Sequence, residues 1–238
     1  MKVEIWSEVA CPWCGLGSHR VERAVERFGH GEHVEVVHRS FPLGSDLPEG
    51  SVFTVRDILR SRYGMSGDQA EVSARRIEAL AESEGLSPYR VLDNTAGNTD
   101  LAHEFLAHAS AEGKNRAAWK AIFRAYFGRA EPVFSLEDLL KLAGELGLDR
   151  ERTRRALTGR SLRQQVLHDA RQAQRLGASG APFIVVDGRY GVAGAQDSDS
   201  LLQLLRTAWD ETHPVTLAPG GHAPACGPGG CAVPAATS

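Results

Sequence analysis

Hydrophobic and polar positions follow a short strand-like pattern at the start of the chain and switch to a helical period after residue 11. Residues 2–7 carry Val3, Ile5 and Trp6 in a segment of high β-propensity, which predicts a core strand. Val21, Ala24, Val25 and Phe28 then recur at helical spacing until Gly29 and Gly31 stop the helix. Residues 33–41 return to strand character, with Val34 and Val36 on one face and Val37 and Phe41 on the other. From about residue 51 to 177 the period is helical almost throughout. Ser66 with Gln69, and Ser135 with Asp138, have capping-box spacing, and Asp149 is a further cap candidate. Thr99-Asp100 precedes Leu101, Ala102, Phe105 and Leu106, and the run from Trp119 to Phe127 is strongly aromatic. A last long helix is predicted over about 161–176, with Leu162, Val166 and Ala170 toward the core. Phe183–Val186 is apolar and β-branched, Asp187-Gly188 is a two-residue hairpin signal, and Arg189–Ala193 pairs back. Asp197 then caps a final helix carrying Leu201, Leu204, Leu205 and Ala208.

The order β-α-β, helical block, α-β-β-α predicts an α/β protein: a thioredoxin fold with a large all-helical insertion after its second strand. Residues 1–50 and 177–212, with helix 161–176, form the thioredoxin-type unit, and residues 51–160 form the insertion. Residues 213–238 are rich in Pro, Gly and Ala and predict a flexible tail. The chain of 238 residues is 42% hydrophobic and 24% charged, a balance suited to a water-soluble core. A formal net charge of −3 offers no basic field, so neither nucleic acid nor a membrane surface is an expected partner. No stretch approaches the roughly 18–20 apolar residues of a membrane span. The opening Met1-Lys2-Val3-Glu4 is too short and polar for a signal core, so the expected compartment is the reducing cytosol. Four cysteines in that setting point to catalysis or metal binding rather than a disulfide scaffold.

Cys11-Pro12-Trp13-Cys14 is the strongest chemical signal. A cysteine at a helix N-terminus faces unpaired N–H groups and the positive end of the dipole, which lower a thiol pKa from about 8.5 into roughly the 3.5–7.5 range. Pro12 fits the first turn because its missing N–H costs no helix bond. Cys14, one turn further in, reads as the less exposed, resolving thiol. The same spacing suits zinc, but zinc needs a second ligand pair close by, and the strand–turn–helix context favours redox chemistry. At Ala181-Pro182 the proline opens a buried strand, where a trans bond is the local default, since only about 5–6% of X–Pro bonds are cis. The tail pair Cys226 and Cys231 reads as a redox disulfide across a Gly/Pro reversal, as a metal-binding tip with His222, or as two unpaired thiols. No other metal site is expected. His19, His103 and His168 read as surface or packing histidines.

The chain resembles the DsbA-like thioredoxin-fold proteins, and among them the FrnE-like group, over about residues 1–212. The resemblance is carried by SEVACPWCGLG at 7–17, NTDLAH at 98–103 and GASGAPFIVVDGRYGVAGAQ at 177–196. It implies disulfide exchange without a cofactor, on protein or small-thiol disulfides, with Cys11 as nucleophile, Cys14 as resolving thiol and Pro182 as a cis proline beside them. It also implies a buried acid that accepts the resolving thiol's proton, for which Glu4 and Glu8 are the candidates, and a setting beside polyketide biosynthesis. Strongly oxidising members carry Pro-His between the cysteines; Trp13 holds no charge there, so a less oxidising potential and a reductase or isomerase role are expected. Glutathione-dependent isomerases and kappa-class glutathione transferases share the inserted architecture, but typically carry Ser in place of Cys11 and no second cysteine. A thiol-based redox or metal sensor is the non-enzymatic alternative. The oligomeric state stays open between monomer and weak dimer.

Overall fold

The computed structural model describes residues 1–214 and the backbone of residues 226–227 and 230–231. Strand β1 (Lys2–Ser7) is central, with Val3 and Ile5 buried on one face and Trp6 on the other. It runs parallel to β2 (Glu35–Ser40) on one side and antiparallel to β5 (Phe183–Val186) on the other, and β6 (Tyr190–Ala193) closes the order β2-β1-β5-β6. Val3 and Ile5 face α1 (Pro12–Arg27) and α9 (Ser198–Thr212), packing with Val21, Ala24, Val25, Leu201 and Leu205. Trp6 faces the other way, onto Phe41, Ala173, Phe183 and Val185. Its indole N–H donates to the Asp169 carbonyl at 2.9 Å, which satisfies the one polar atom of a fully buried side chain.

Between β2 and β5 the chain forms β3 (Val52–Thr54), α2 (Val55–Tyr63), α3 (Gly67–Ser83), β4 (Thr95–Gly97), α4 (Asp100–Ala111) and α5 (Asn115–Phe123), then α6 (Leu136–Glu145), α7 (Arg150–Thr158) and α8 (Arg163–Arg175). The Ser66 and Ser135 capping boxes are both formed, and Asp149 caps α7. The core of this segment gathers Phe105, Leu106, Trp119, Ile122, Phe127, Leu139 and Leu157, and it extends to Val9, Cys14 and Leu16. The helical segment therefore packs directly on the start of α1.

Three details differ from the sequence reading. Strands β3 and β4 form an antiparallel ribbon inside the otherwise helical segment. At three residues each they are too short to show a period, and Gly97 allows a close approach, since a Cβ there would lie 3.1 Å from the Phe134 ring and 3.2 Å from the Ser51 carbonyl. Helix α8 buries Val166, Asp169 and Ala173, whereas Leu162 is its N-cap and Ala170 is only partly buried. A buried aspartate hid this face from a hydrophobicity pattern. The β5–β6 loop spans Asp187, Gly188 and Arg189, with φ of 48° at Asp187 and 66° at Gly188.

The tail reading over residues 213–238 lies outside the described residues from 215 on, apart from a backbone pairing of β7 (Cys226–Gly227) with β8 (Gly230–Cys231) that sets Cys226 opposite Cys231. Among the described residues no helix is long and apolar enough to cross a membrane.

The outer edge of β2 is closed by side chains rather than by another strand. The His38 N–H donates to Asn115 Oδ1 at 2.8 Å and its carbonyl accepts from Asn115 Nδ2 at 2.9 Å, while the Ser40 N–H donates to Asp169 Oδ2 at 3.3 Å. A cleft of about 640 Å³ lies beside these bonds, so water reaches groups vacated by a shorter side chain. Asn115→Ala should therefore lower unfolding free energy by only about 1–2 kcal/mol, with an unchanged denaturant slope in urea melts. A neutral result would remove Asn115 as the closure of this edge.

Candidate active site

Strand β1 ends at Ser7, and residues 8–10 turn the chain so that Cys11 becomes the N-cap of α1, with Pro12 in the first turn. No side-chain oxygen caps this helix and no acid lies in its first turn, so nothing there competes with the Cys11 sulfur for the positive end of the helix, although the Cys14 N–H also donates to the Cys11 carbonyl at 2.9 Å. Cys11 is partly exposed, Cys14 is fully buried, and Trp13 between them is 39% exposed. The hydrogen bond from Cys14 pulls the Cys11 pKa down; burial opposes this, and the N–H groups of Cys14 and Trp13 add to the lowering. Burial pushes the Cys14 thiol well up, and the Cys11 and Glu8 charges push it further. The two sulfurs thus have opposite acid–base character although they sit one helical turn apart.

The Ala181–Pro182 bond is cis. The Ala181 carbonyl lies 3.8 Å from the Cys11 sulfur as acceptor, and Pro182 packs on α1 so closely that a Cβ on Gly17 would be 3.2 Å from its Cγ. The segment preceding β5 is thereby brought against the helix that carries the cysteines.

The two candidate acids are placed differently. Glu4 lies on β1 opposite Val37 and is engaged by Lys2 Nζ at 3.1 Å and Arg39 at 2.9 Å, away from the cysteines. Six residues of strand and turn, Ile5 to Ala10, separate it from Cys11 along the chain. Glu8 is buried in the turn itself, where its N–H donates to the Cys14 sulfur at 3.4 Å. Its carboxylate accepts from the Ala10 and Leu43 N–H groups and from Thr99 Oγ1 at 3.1 Å, with His103 Nε2 at 3.5 Å. Burial alone would raise the Glu8 pKa, but His103 and these donors outweigh it and hold the group below the ordinary carboxylate value.

Thr99 was missed by sequence reasoning, and His103, read there as a surface or packing histidine, is a buried one that packs against the Glu8 carboxylate. Asn98 Oδ1 caps the Asp100 N–H at 2.9 Å, so Thr99 makes no side-chain cap and its hydroxyl is released to Glu8. His103 lies one turn later on the same face of α4 and is fully buried. Tyr89 was also missed: it is buried, stacks on Phe127 at 4.7 Å and donates its hydroxyl to the Pro12 carbonyl inside the motif. His38 is buried and stacked on Trp119 at 5.3 Å, and burial lowers its pKa to about 3, so it is neutral. His19 meets the Glu84 carbonyl and His168 is exposed. Among the described residues no group of three or more His, Cys, Asp or Glu side chains is arranged to hold a metal. Side chains of Cys226 and Cys231, and all of His222, lie outside the described residues.

The sequence profile of the DSBA-like thioredoxin domain family matches residues 2–206. The chain belongs to this family. Among solved structures, this DSBA-like protein is similar to the probable DsbA oxidoreductase SCO1869 from Streptomyces coelicolor, at 42% identity over 98% of this chain and 99% of that one, with a TM-score of 0.85. It shares its fold with a 2-hydroxychromene-2-carboxylate isomerase, at 15% identity, 91% and 100% coverage and a TM-score of 0.69. It also shares it with the cytosolic disulfide reductase DsbM from Pseudomonas aeruginosa, solved with GSH, at 19% identity, 88% and 99% coverage and a TM-score of 0.59.

In this DSBA-like site the Glu8 charge opposes ionisation of both thiols. Glu8→Gln removes that charge while keeping the shape, so the Cys11 alkylation profile should move to lower pH by about one unit. A profile that stays in place would show that Glu8 is electrostatically silent at Cys11.

Proposed function

We propose that this chain is a dithiol oxidoreductase that exchanges disulfides with protein or small-thiol substrates and works as a reductase or isomerase in the cytosol. One observation carries the reading: Cys11 is partly exposed with its pKa pulled down, and Cys14 is buried beside it with its pKa pushed up. The Cys11 thiolate attacks one sulfur of a substrate disulfide, and the other substrate sulfur leaves as a thiolate. Cys11 is then neutral, which removes one of the charges that kept Cys14 protonated. Cys14 loses its proton and attacks the Cys11 sulfur, and the second substrate thiolate departs. The substrate gains two electrons and the protein holds a Cys11–Cys14 disulfide, which a cellular thiol such as glutathione reduces.

Glu8 is the acid assigned to the Cys14 proton, on the strength of its burial in the turn whose backbone N–H meets the Cys14 sulfur and of the upward push its charge exerts on the Cys14 pKa. Held ionised, it accepts the proton only transiently and passes it on. Ala181 and Pro182 form the wall against which the substrate sulfur is presented, and exposed Trp13 is the apolar contact beside Cys11. Pro12-Trp13 places no cationic side chain between the cysteines, which supports a weaker oxidant than a Pro-His pair would give. The buried second thiol favours dithiol exchange over a glutathione-dependent isomerase, whose single nucleophile has no use for Cys14. The tail pair is assigned as a relay that passes electrons to or from Cys11–Cys14. Directly opposed residues in an antiparallel pair have Cα atoms about 4.5–5.5 Å apart, within the span of a disulfide, and Cys226 and Cys231 are so opposed.

Cys11→Ser should reduce insulin disulfide cleavage to background, because no thiolate begins the attack. Cys14→Ser should still attack but accumulate mixed disulfides visible by mass spectrometry. Retention of most activity in Cys11→Ser would refute the assignment.

A further inference from the structure

Tyr89 reaches the redox centre from outside the thioredoxin-type unit, and its contact is to the backbone of the motif rather than to a sulfur. The hydroxyl donates to the Pro12 carbonyl. That carbonyl belongs to the Pro12–Trp13 peptide, and the N–H at the other end of the same peptide, that of Trp13, is one of the two main-chain donors that lower the Cys11 pKa. A peptide group is planar and conjugated, so a donor on its oxygen strengthens its own N–H as a donor. Tyr89 O–H, Pro12 C=O and Trp13 N–H thus form one polarised path at the opening of α1, where no side-chain cap and no first-turn acid competes with the Cys11 sulfur for the N–H at its end. We propose that Tyr89 is a positioning residue of the redox centre, fixing and polarising the Pro12–Trp13 peptide so that it stabilises the Cys11 thiolate. The inference rests on the reading of Cys11 as the attacking thiolate.

Packing supports a fixed rather than incidental contact. The Tyr89 ring is buried against Phe127, and the adjoining Arg90 N–H donates to the Phe127 carbonyl at 2.8 Å. The next residue after the motif, Gly15, leaves room for the phenol: a Cβ there would collide with the Tyr89 hydroxyl and stand 3.1 Å from the Phe127 ring. Burial, followed by the Cys11 and Cys14 charges, pushes the Tyr89 phenol well above its ordinary pKa, so it remains a donor across the range in which the thiols titrate. The titratable groups that bear on Cys11 are then Cys14 on α1, Glu8 from the turn after β1, and Tyr89 from the segment between α3 and β4.

If Tyr89 were only a packing aromatic, phenylalanine would replace it without consequence at the sulfur. Tyr89→Phe should instead raise the Cys11 pKa, read from the pH dependence of iodoacetamide alkylation, by about 0.3–0.6 unit. The equilibrium with glutathione should shift toward the protein disulfide by about twofold to fourfold, because the reduced form loses thiolate stabilisation. Gly15→Ala, which displaces the phenol without removing it, should give the same direction of change, and adding it to Tyr89→Phe should give little more. A Tyr89→Phe protein that unfolds cooperatively yet keeps the wild-type Cys11 pKa and glutathione equilibrium would overturn the inference. Should Tyr89→Phe not fold, an unchanged Cys11 pKa in Gly15→Ala would overturn it equally. Failure of the underlying reading is separate: it would appear as disulfide exchange that survives Cys11→Ser, whatever happens at Tyr89.

Discussion

A thiol at the N-cap of a helix and a second thiol three residues later meet different surroundings by geometry alone. The first faces the free N–H groups of the opening turn, whereas the second has entered the helix and points wherever that face of the helix is packed. Here the packed face is the apolar core of the segment between β2 and β5, so Cys14 is buried while Cys11 keeps access to solvent. The pKa values of the pair separate as a consequence, down at Cys11 and up at Cys14. Attack and resolution are thereby assigned to different sulfurs before any other residue is considered.

The rest of the site refines that difference. β1 supplies the turn that holds Glu8, the segment before β5 brings Ala181 and Pro182 to the Cys11 side, and α4 sends Thr99 and His103 down to the Glu8 carboxylate. Tyr89 comes from the loop ahead of β4 and engages the peptide between the cysteines. The helical segment therefore does more than cover the sheet. It contributes the apolar core that buries Cys14, the donors that keep Glu8 ionised and the hydroxyl that meets Pro12.

Much of this was legible along the chain. The succession of strands and helices outside the helical block, the capping boxes at Ser66 and Ser135, the cap at Asp149 and the strand–turn–helix context of Cys11 all rest on local chemistry, and the structure contains them. What escaped depends on long-range contact. Glu4 and Glu8 are equivalent as letters, and only the register of β1 against β2 shows that Arg39 takes the first and α4 the second. Thr99 sits at the N-cap of α4, but Asn98 caps the Asp100 N–H, and no local pattern shows that this leaves the Thr99 hydroxyl to Glu8. Asp169 broke the apolar stripe of α8 because it serves the β2 edge, and Tyr89 carried no signal beyond the glycine at position 15 that makes space for it.

The central claim is the division of character between two neighbouring sulfurs. Differential alkylation of the reduced native protein with iodoacetamide, across pH 5–10 and read by peptide mass mapping, measures it directly. Cys11 should label first, with an apparent pKa below the ordinary thiol value of about 8.5, and Cys14 should stay unlabelled until the protein unfolds. Equal labelling of the two thiols, or labelling of Cys14 ahead of Cys11, would contradict the account.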